Sequence, residues 1–170
     1  MSKPFAPLLA KPVEWQYLDY SNLWVSKKLD GIRAIVRDRV VLSRKLLPIP
    51  NAFVQYTLGI SAPEAFDGEL IVGPANASDV HSRTYSGWMS EKGEPDVTFH
   101  VFDHVTDPMT EYCQRYERLS EKSFRWVDDV PQHPAMAEKD VLDLETMYLA
   151  QGYEGVMLRA HSGPRRFYKY

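Results

Sequence analysis

The Asp30-Gly31 pair sits between two short runs with strand-like composition, LWVSKK at 23–28 and IRAIV at 32–36. An Asp-Gly step between such runs is the strongest short-range hairpin signal a sequence carries, because both residues tolerate the positive φ of a two-residue turn. The pattern predicts an antiparallel hairpin near the N-terminus and a β-rich domain built onto it. Further strands are predicted at RVVLSR (39–44), FDGELIVG (66–73), VTFHVFDHV (97–105) and GVMLR (155–159). Residues 1–20 contain three prolines and read as an irregular leader. KLLPIPN (45–51) breaks off through its prolines, and 74–96 reads as a long polar surface loop, a type often tied to function.

Two helices are expected. One starts at Asp107-Pro108, with Asp as N-cap and Pro in the first helical position, and carries Tyr112, Tyr116, Leu119 and Trp126 on its buried stripe. The other runs from about Asp140 to Gln151, with Val141, Leu144 and Tyr148 inward and Gly152 as its stop. Hairpins with helices segregated from them argue for an α+β domain rather than an alternating parallel sheet.

The 170 residues suffice for one domain with a real core, and 44% apolar with 25% charged residues is the balance of an ordinary soluble globular protein. No apolar run reaches the roughly 20 residues of a membrane span, and the proline-rich N-terminus does not resemble a signal peptide. The single cysteine, Cys113, forms no internal disulfide or zinc cluster, which fits a cytoplasmic location. A net charge of -3 leaves nucleic acid open, so local clusters decide. Basic residues do cluster, at Lys27, Lys28, Arg33, Arg37, Arg39, Arg44 and Lys45, then at Arg159, Arg165, Arg166 and Lys169.

KKLDGIR (27–33) allows two readings. The charges are either incidental flanks of a turn, or one lysine is a nucleophile. A free lysine has a pKa of about 10.4, so as a nucleophile it needs neighbouring positive charge or desolvation to lose its proton. Lys27, Arg33 and a bound divalent cation would supply that field around Lys28.

KLDGIR (28–33) resembles the K-x-D-G-x-R signature of the covalent nucleotidyltransferases, the superfamily of ATP-dependent polynucleotide ligases and messenger-RNA capping enzymes. LSR (42–44), FDGEL (66–70), FHVFD (99–103) and YEGVMLR (153–159) resemble the later blocks of that superfamily, in the same order. EGVMLR points to DNA ligases more than to capping enzymes, and PLLAKP near the start with YKY at the end resembles the small viral and phage type. The resemblance implies an α+β nucleotidyltransferase domain, ATP-grasp-like, with two antiparallel sheets forming a nucleotide cleft flanked by helices.

It also implies roles. Lys28 would attack the α-phosphate of ATP and become a lysyl-adenylate, while Asp30 and Gly31 shape the turn. Arg33 would hold the nucleotide sugar, Glu69 would reach the ribose, and Glu69 and Glu154 would hold magnesium at the phosphates. Phe102 would stack on the adenine, with Phe99 in the core. Arg44, with Lys45 beside it, would contact the 5′-phosphate of a nick, and Arg159 would join the DNA-facing surface. Ser43 caps a turn. His81, Arg83, Tyr85 and Trp88 fall in the 74–96 loop, close to substrate. His81, His100, His104, His133 and His161 have no metal-ligand spacing.

In the family a block with two lysines and an OB-fold follow the region where this chain ends, at Tyr170. The expectation is therefore an adenylation domain over 1–170, incomplete at its C-terminal end and lacking the OB-fold. Three explanations stay open: half of a split ligase completed by a second polypeptide, an excerpted ligase, or a non-catalytic module binding nucleotide or nicked DNA. The expected partner is nicked duplex DNA, with no membrane association and a monomeric state.

Overall fold

The computed structural model describes residues 7–107, 109–119 and 124–162, and the backbone of 167–169. Pro108, Arg165, Arg166, Tyr170 and the side chain of Lys169 lie outside the described residues. In chain order the elements are β1 (Lys11–Pro12), β2 (Leu23–Lys27), β3 (Ile32–Arg37), β4 (Val40–Ser43), α1 (Ala52–Ser61), β5 (Phe66–Val72) and α2 (Val80–Met89). Then follow β6 (Val97–His104), α3 (Tyr112–Glu117), β7 (Val127–Asp129), β8 (His133–Ala135), α4 (Glu138–Ala150), β9 (Val156–Ala160) and β10 (Phe167–Lys169).

The strands form two five-stranded sheets, ordered β1-β10-β9-β2-β8 and β4-β3-β5-β6-β7. Their central pairings are antiparallel, and each has one parallel pair at an edge, β1 with β10 and β6 with β7. The predicted 23–36 hairpin does not form. β2 pairs with β8 and β9, whereas β3 pairs with β4 and β5, so Asp30-Gly31 carries the chain from one sheet to the other. Tertiary pairing overrides the local turn signal here. Glycine is needed at position 31 because a Cβ would overlap the Leu70 carbonyl and crowd the Glu69 and Ile71 side chains.

Each sheet buries one face under its own helix. Ala34, Leu70, Phe99 and Val101 pack with Val54 and Leu58 of α1. Leu23, Val25, Val156 and Leu158 pack with Val141 and Tyr148 of α4. Phe99 is fully buried, as expected. The opposite faces carry polar side chains and approach one another where the Arg159 guanidinium lies 4.5 Å from the centre of the Phe102 ring.

Two helix expectations change. Residues 74–96 are not a continuous loop, because α2 forms within them. Val80 is buried and Trp88 packs on the core, and two polar bonds tie the helix to β5: Thr84 Oγ1 accepts from the Val72 N–H at 3.0 Å, and Arg83 Nε donates to the Val72 carbonyl at 2.8 Å. The helix expected from Asp107 begins only at Tyr112. Asp107 instead closes a turn, accepting from the Met109 N–H and the Thr110 hydroxyl. Tyr112 and Leu119 are buried, but Leu119 and Trp126 both lie beyond the end of α3, Trp126 at φ 66°. The second helix, α4, starts two residues early and ends as expected, with Gly152 at φ 90°. α1, capped by Asn51 accepting from the Val54 N–H at 2.9 Å, was not anticipated, nor were the three-residue strands β7 and β8.

Candidate functional site

Lys28 leaves the end of β2 while the pairing with β9 continues beyond it. Its N–H donates to the Gly155 carbonyl at 2.9 Å, so the antiparallel register sets Glu154 beside it and the two side chains form an ion pair. Two motifs 126 residues apart thus meet.

From the other sheet, Arg33 and Glu69 are cross-strand neighbours on β3 and β5. Arg33 grips the fully buried Asp67 with two hydrogen bonds, Nε to Oδ1 at 2.5 Å and Nη2 to Oδ2 at 2.8 Å. The fork fixes the guanidinium plane. Asp67 was not singled out from the sequence, although the alternation in FDGEL sets it on the same face as Glu69. Burial pushes the Glu69 carboxyl up to about 8, with Asp67 and Asp30 adding to the rise. Arg33 and a hydrogen bond from the Gly31 N–H oppose it.

Phe102 occupies a β-bulge. Gly68 pairs with Val101 and Asp67 with Asp103, so the register skips Phe102. Bulges re-aim side chains, and this one lets the consecutive Phe102 and Asp103 both serve the inner face. The Phe102 ring is 7% exposed, with the guanidiniums of Arg33 and Arg159 at 4.6 and 4.5 Å from its centre, and its carbonyl accepts from the Tyr112 hydroxyl at 2.7 Å.

Arg159 departs from expectation. It is 1% exposed, donates to Ser26 Oγ at 2.9 Å and lies over the rings of Phe102 and Tyr112, so it does not sit on a DNA-facing surface. Its position on β9, cross-strand from Trp24, turns it into the gap between the sheets. Arg44 and Lys45 are exposed. They border a cavity of about 640 Å³ that also reaches Arg33, Glu69, His81, Tyr85 and Trp88. Three of the four residues flagged at 81–88 thus face this cavity, while Arg83 turns to the carbonyls of Val72 and Pro74. A smaller cavity of about 170 Å³ holds Lys28, Asp30 and Glu154. The Asp30-Gly31 turn is the partition between the two, with Asp30 facing one and Gly31 the other.

Among the described residues, no group of three or more His, Cys, Asp or Glu side chains is arranged to hold a metal ion. His104 Nδ1 is met by the Thr106 hydroxyl at 3.0 Å. His100 is buried, which pushes its imidazole down to about 4; nearby Lys27 adds to that and Asp128 opposes it. No helix among the described residues is long and apolar enough to cross a membrane.

No family model matches the sequence. No curated protein matches it either. Solved structures do. A Chlorella virus DNA ligase-adenylate is 25% identical with a TM-score of 0.84, over 98% of this chain and 68% of that one. A second Chlorella virus DNA ligase-adenylate structure is 26% identical with a TM-score of 0.78, over 95% of this chain and 61% of that one. An archaeal ATP-dependent RNA ligase shares the fold at 16% identity and a TM-score of 0.66, over 97% of this chain and 48% of that one. The chain thus spans about two thirds, or less, of the length of these proteins. In its ordered motifs and in its fold, it matches the adenylation domains of ATP-dependent ligases of the small, viral type.

Proposed function

We propose that the chain is the adenylation domain of an ATP-dependent DNA ligase acting on nicked duplex DNA. Lys28 Nζ, having given up a proton, attacks the α-phosphorus of ATP. An N–P bond forms, the bond to the oxygen bridging to the β-phosphate breaks, and pyrophosphate leaves. The AMP then passes to the 5′-phosphate at a nick, and attack by the 3′-hydroxyl joins the strands and releases AMP. The observation that carries this reading is the position of Lys28. It directly follows a strand of one sheet beside Glu154, on a turn whose next residues back Glu69 and open the strand of Arg33.

Arg33 and Phe102 would contact sugar and base, and Arg44 with Lys45 the phosphates of the nicked strand. The carboxylates of Glu69 and Glu154 suit magnesium, which takes most of its oxygens from phosphate and water. Bound there, the ion would neutralise charge on the phosphate oxygens. DNA is supported as substrate by the DNA ligases among the similar structures. The RNA ligase among them makes RNA the control.

The test is incubation with α-labelled ATP and magnesium, followed by denaturing electrophoresis and then by nicked DNA and RNA duplexes. Wild-type chain is expected to carry the label and Lys28→Ala none. Label retained on Lys28→Ala refutes the nucleophile, and an unlabelled wild type favours a nucleotide- or nick-binding module.

A further inference from the structure

We infer that His100 is a sugar-recognition residue, which takes a ribose hydroxyl of the bound nucleotide beside Glu69. The inference rests on the proposed adenylation site and adds a residue to it. Three successive pairings, Arg33 with Glu69, Glu69 with His100 and His100 with Asp128, set these side chains in one row across β3, β5, β6 and β7. The row lies on the face opposite the Leu70, Phe99 and Val101 core. Within it Arg33 is matched by Asp67, and Glu69 by the Gly31 N–H.

His100 differs from its neighbours. It is 9% exposed, and its ring makes no hydrogen bond among the described residues, in contrast to His104. An imidazole has a donor and an acceptor to satisfy. The His100 nitrogens are not among the described buried polar atoms that lack a partner, so they keep contact with solvent and stand open to a ligand on this face. Neighbouring strands lie about 4.8 Å apart, so His100 is one strand beyond Glu69 and two beyond Arg33, roughly 10 Å along the row. With the α-phosphate at Lys28 and the sugar at Arg33, the ribose lies along this row, over Glu69 and toward His100. Phe102, two residues along β6, falls on the same face. The vicinal hydroxyls of a ribose fit the pair: one donates to the Glu69 carboxylate, and the other exchanges a hydrogen bond with the imidazole.

The test is calorimetric binding of ATP, 2′-deoxy-ATP and 3′-deoxy-ATP to the full chain, for wild type, His100→Leu and His100→Gln, with adenylate labelling in parallel. One hydrogen bond is worth about tenfold in affinity. Wild type is expected to prefer ATP over one deoxy analogue by about that factor. His100→Leu should lose the preference by weakening ATP alone, and His100→Gln should recover part of it. Should His100→Leu fail to fold, a smaller preference in His100→Gln, with its melting temperature retained, carries the same result. A wild type without preference, a preference undiminished in the variants, or a wild type that binds no ATP overturns the inference. A His100-dependent preference in a chain that takes no label upholds the sugar contact and removes the catalytic reading instead.

Discussion

The residue after the bulge, Asp103, offers a sharp test of how the inner face is held. Asp103 is 0% exposed and Arg115 of α3 is 1% exposed. Arg115 donates from Nε to Oδ1 at 2.7 Å and from Nη2 to Oδ2 at 3.2 Å, and a third bond runs from Nη1 to the Thr110 carbonyl. Asp103→Asn keeps the shape but leaves a buried guanidinium without its counter-charge. Breaking one side of such a pair costs about 3–5 kcal/mol, a large share of the roughly 5–15 kcal/mol that holds a domain together. At this chain length that corresponds to a fall in Tm of roughly 10 °C. Urea unfolding followed by fluorescence of the four tryptophans measures it. The double variant Asp103→Leu with Arg115→Met, which removes both charges, should cost less than either single charge loss. A cost below about 1 kcal/mol for Asp103→Asn, or strict additivity in the double variant, would refute the account of a desolvated, mutually dependent pair.

Two further outcomes follow from the geometry. His100 is held at about 4 against an ordinary 6.5, so the unfolded chain binds a proton that the folded chain refuses. Its contribution is complete above pH 6.5 and is lost as pH falls toward 4, by at most roughly 3 kcal/mol; His100→Gln should flatten that limb of the unfolding curve. For nicked duplex binding, Arg44→Ala and Lys45→Ala should each lower the log–log salt slope by roughly 0.9. Arg159→Met should leave that slope unchanged while lowering Tm, and a reduced slope for Arg159→Met would return it to the DNA-facing surface.

Legibility in the sequence followed length and local chemistry. The strands of 23–27, 66–72 and 97–104 and the helix at 138–150 were readable because each has several residues of consistent pattern. α1 was hidden behind Pro48 and Pro50, although Asn51 is an N-cap of the preferred type. α2 was hidden because its inward side holds only Val80 and Trp88 as apolar anchors, with Thr84 and Arg83 supplying the rest by hydrogen bonds. Strands of three residues carry too few side chains for alternation to register. The site residues that motifs marked were found in position to meet: Lys28 with Glu154, and Arg33 with Glu69. Asp67, Ser26 and His100 were not marked, because their importance comes from pairings across strands that no single segment encodes.

The misread turn explains the spacing of the motif around it. Lys28 directly follows a strand of one sheet and Arg33 lies in a strand of the other, so here the chain crosses between the sheets within five residues. An extended chain covers at most about 17 Å in that distance, which ties the sheets at this end whatever occupies the space between them. A hairpin would have put both side chains on one sheet and left Glu154 and Glu69 on surfaces without a common partner. Crossing instead gives Lys28 to the cavity of Glu154 and Arg33 to the cavity of Glu69, Arg44 and Lys45, with Asp30-Gly31 as the wall. The wall must be thin, since Gly31 lies against the Leu70 carbonyl, and this close approach rather than a hairpin φ is what demands glycine. One short motif can serve both cavities because it runs from the end of one sheet into the other.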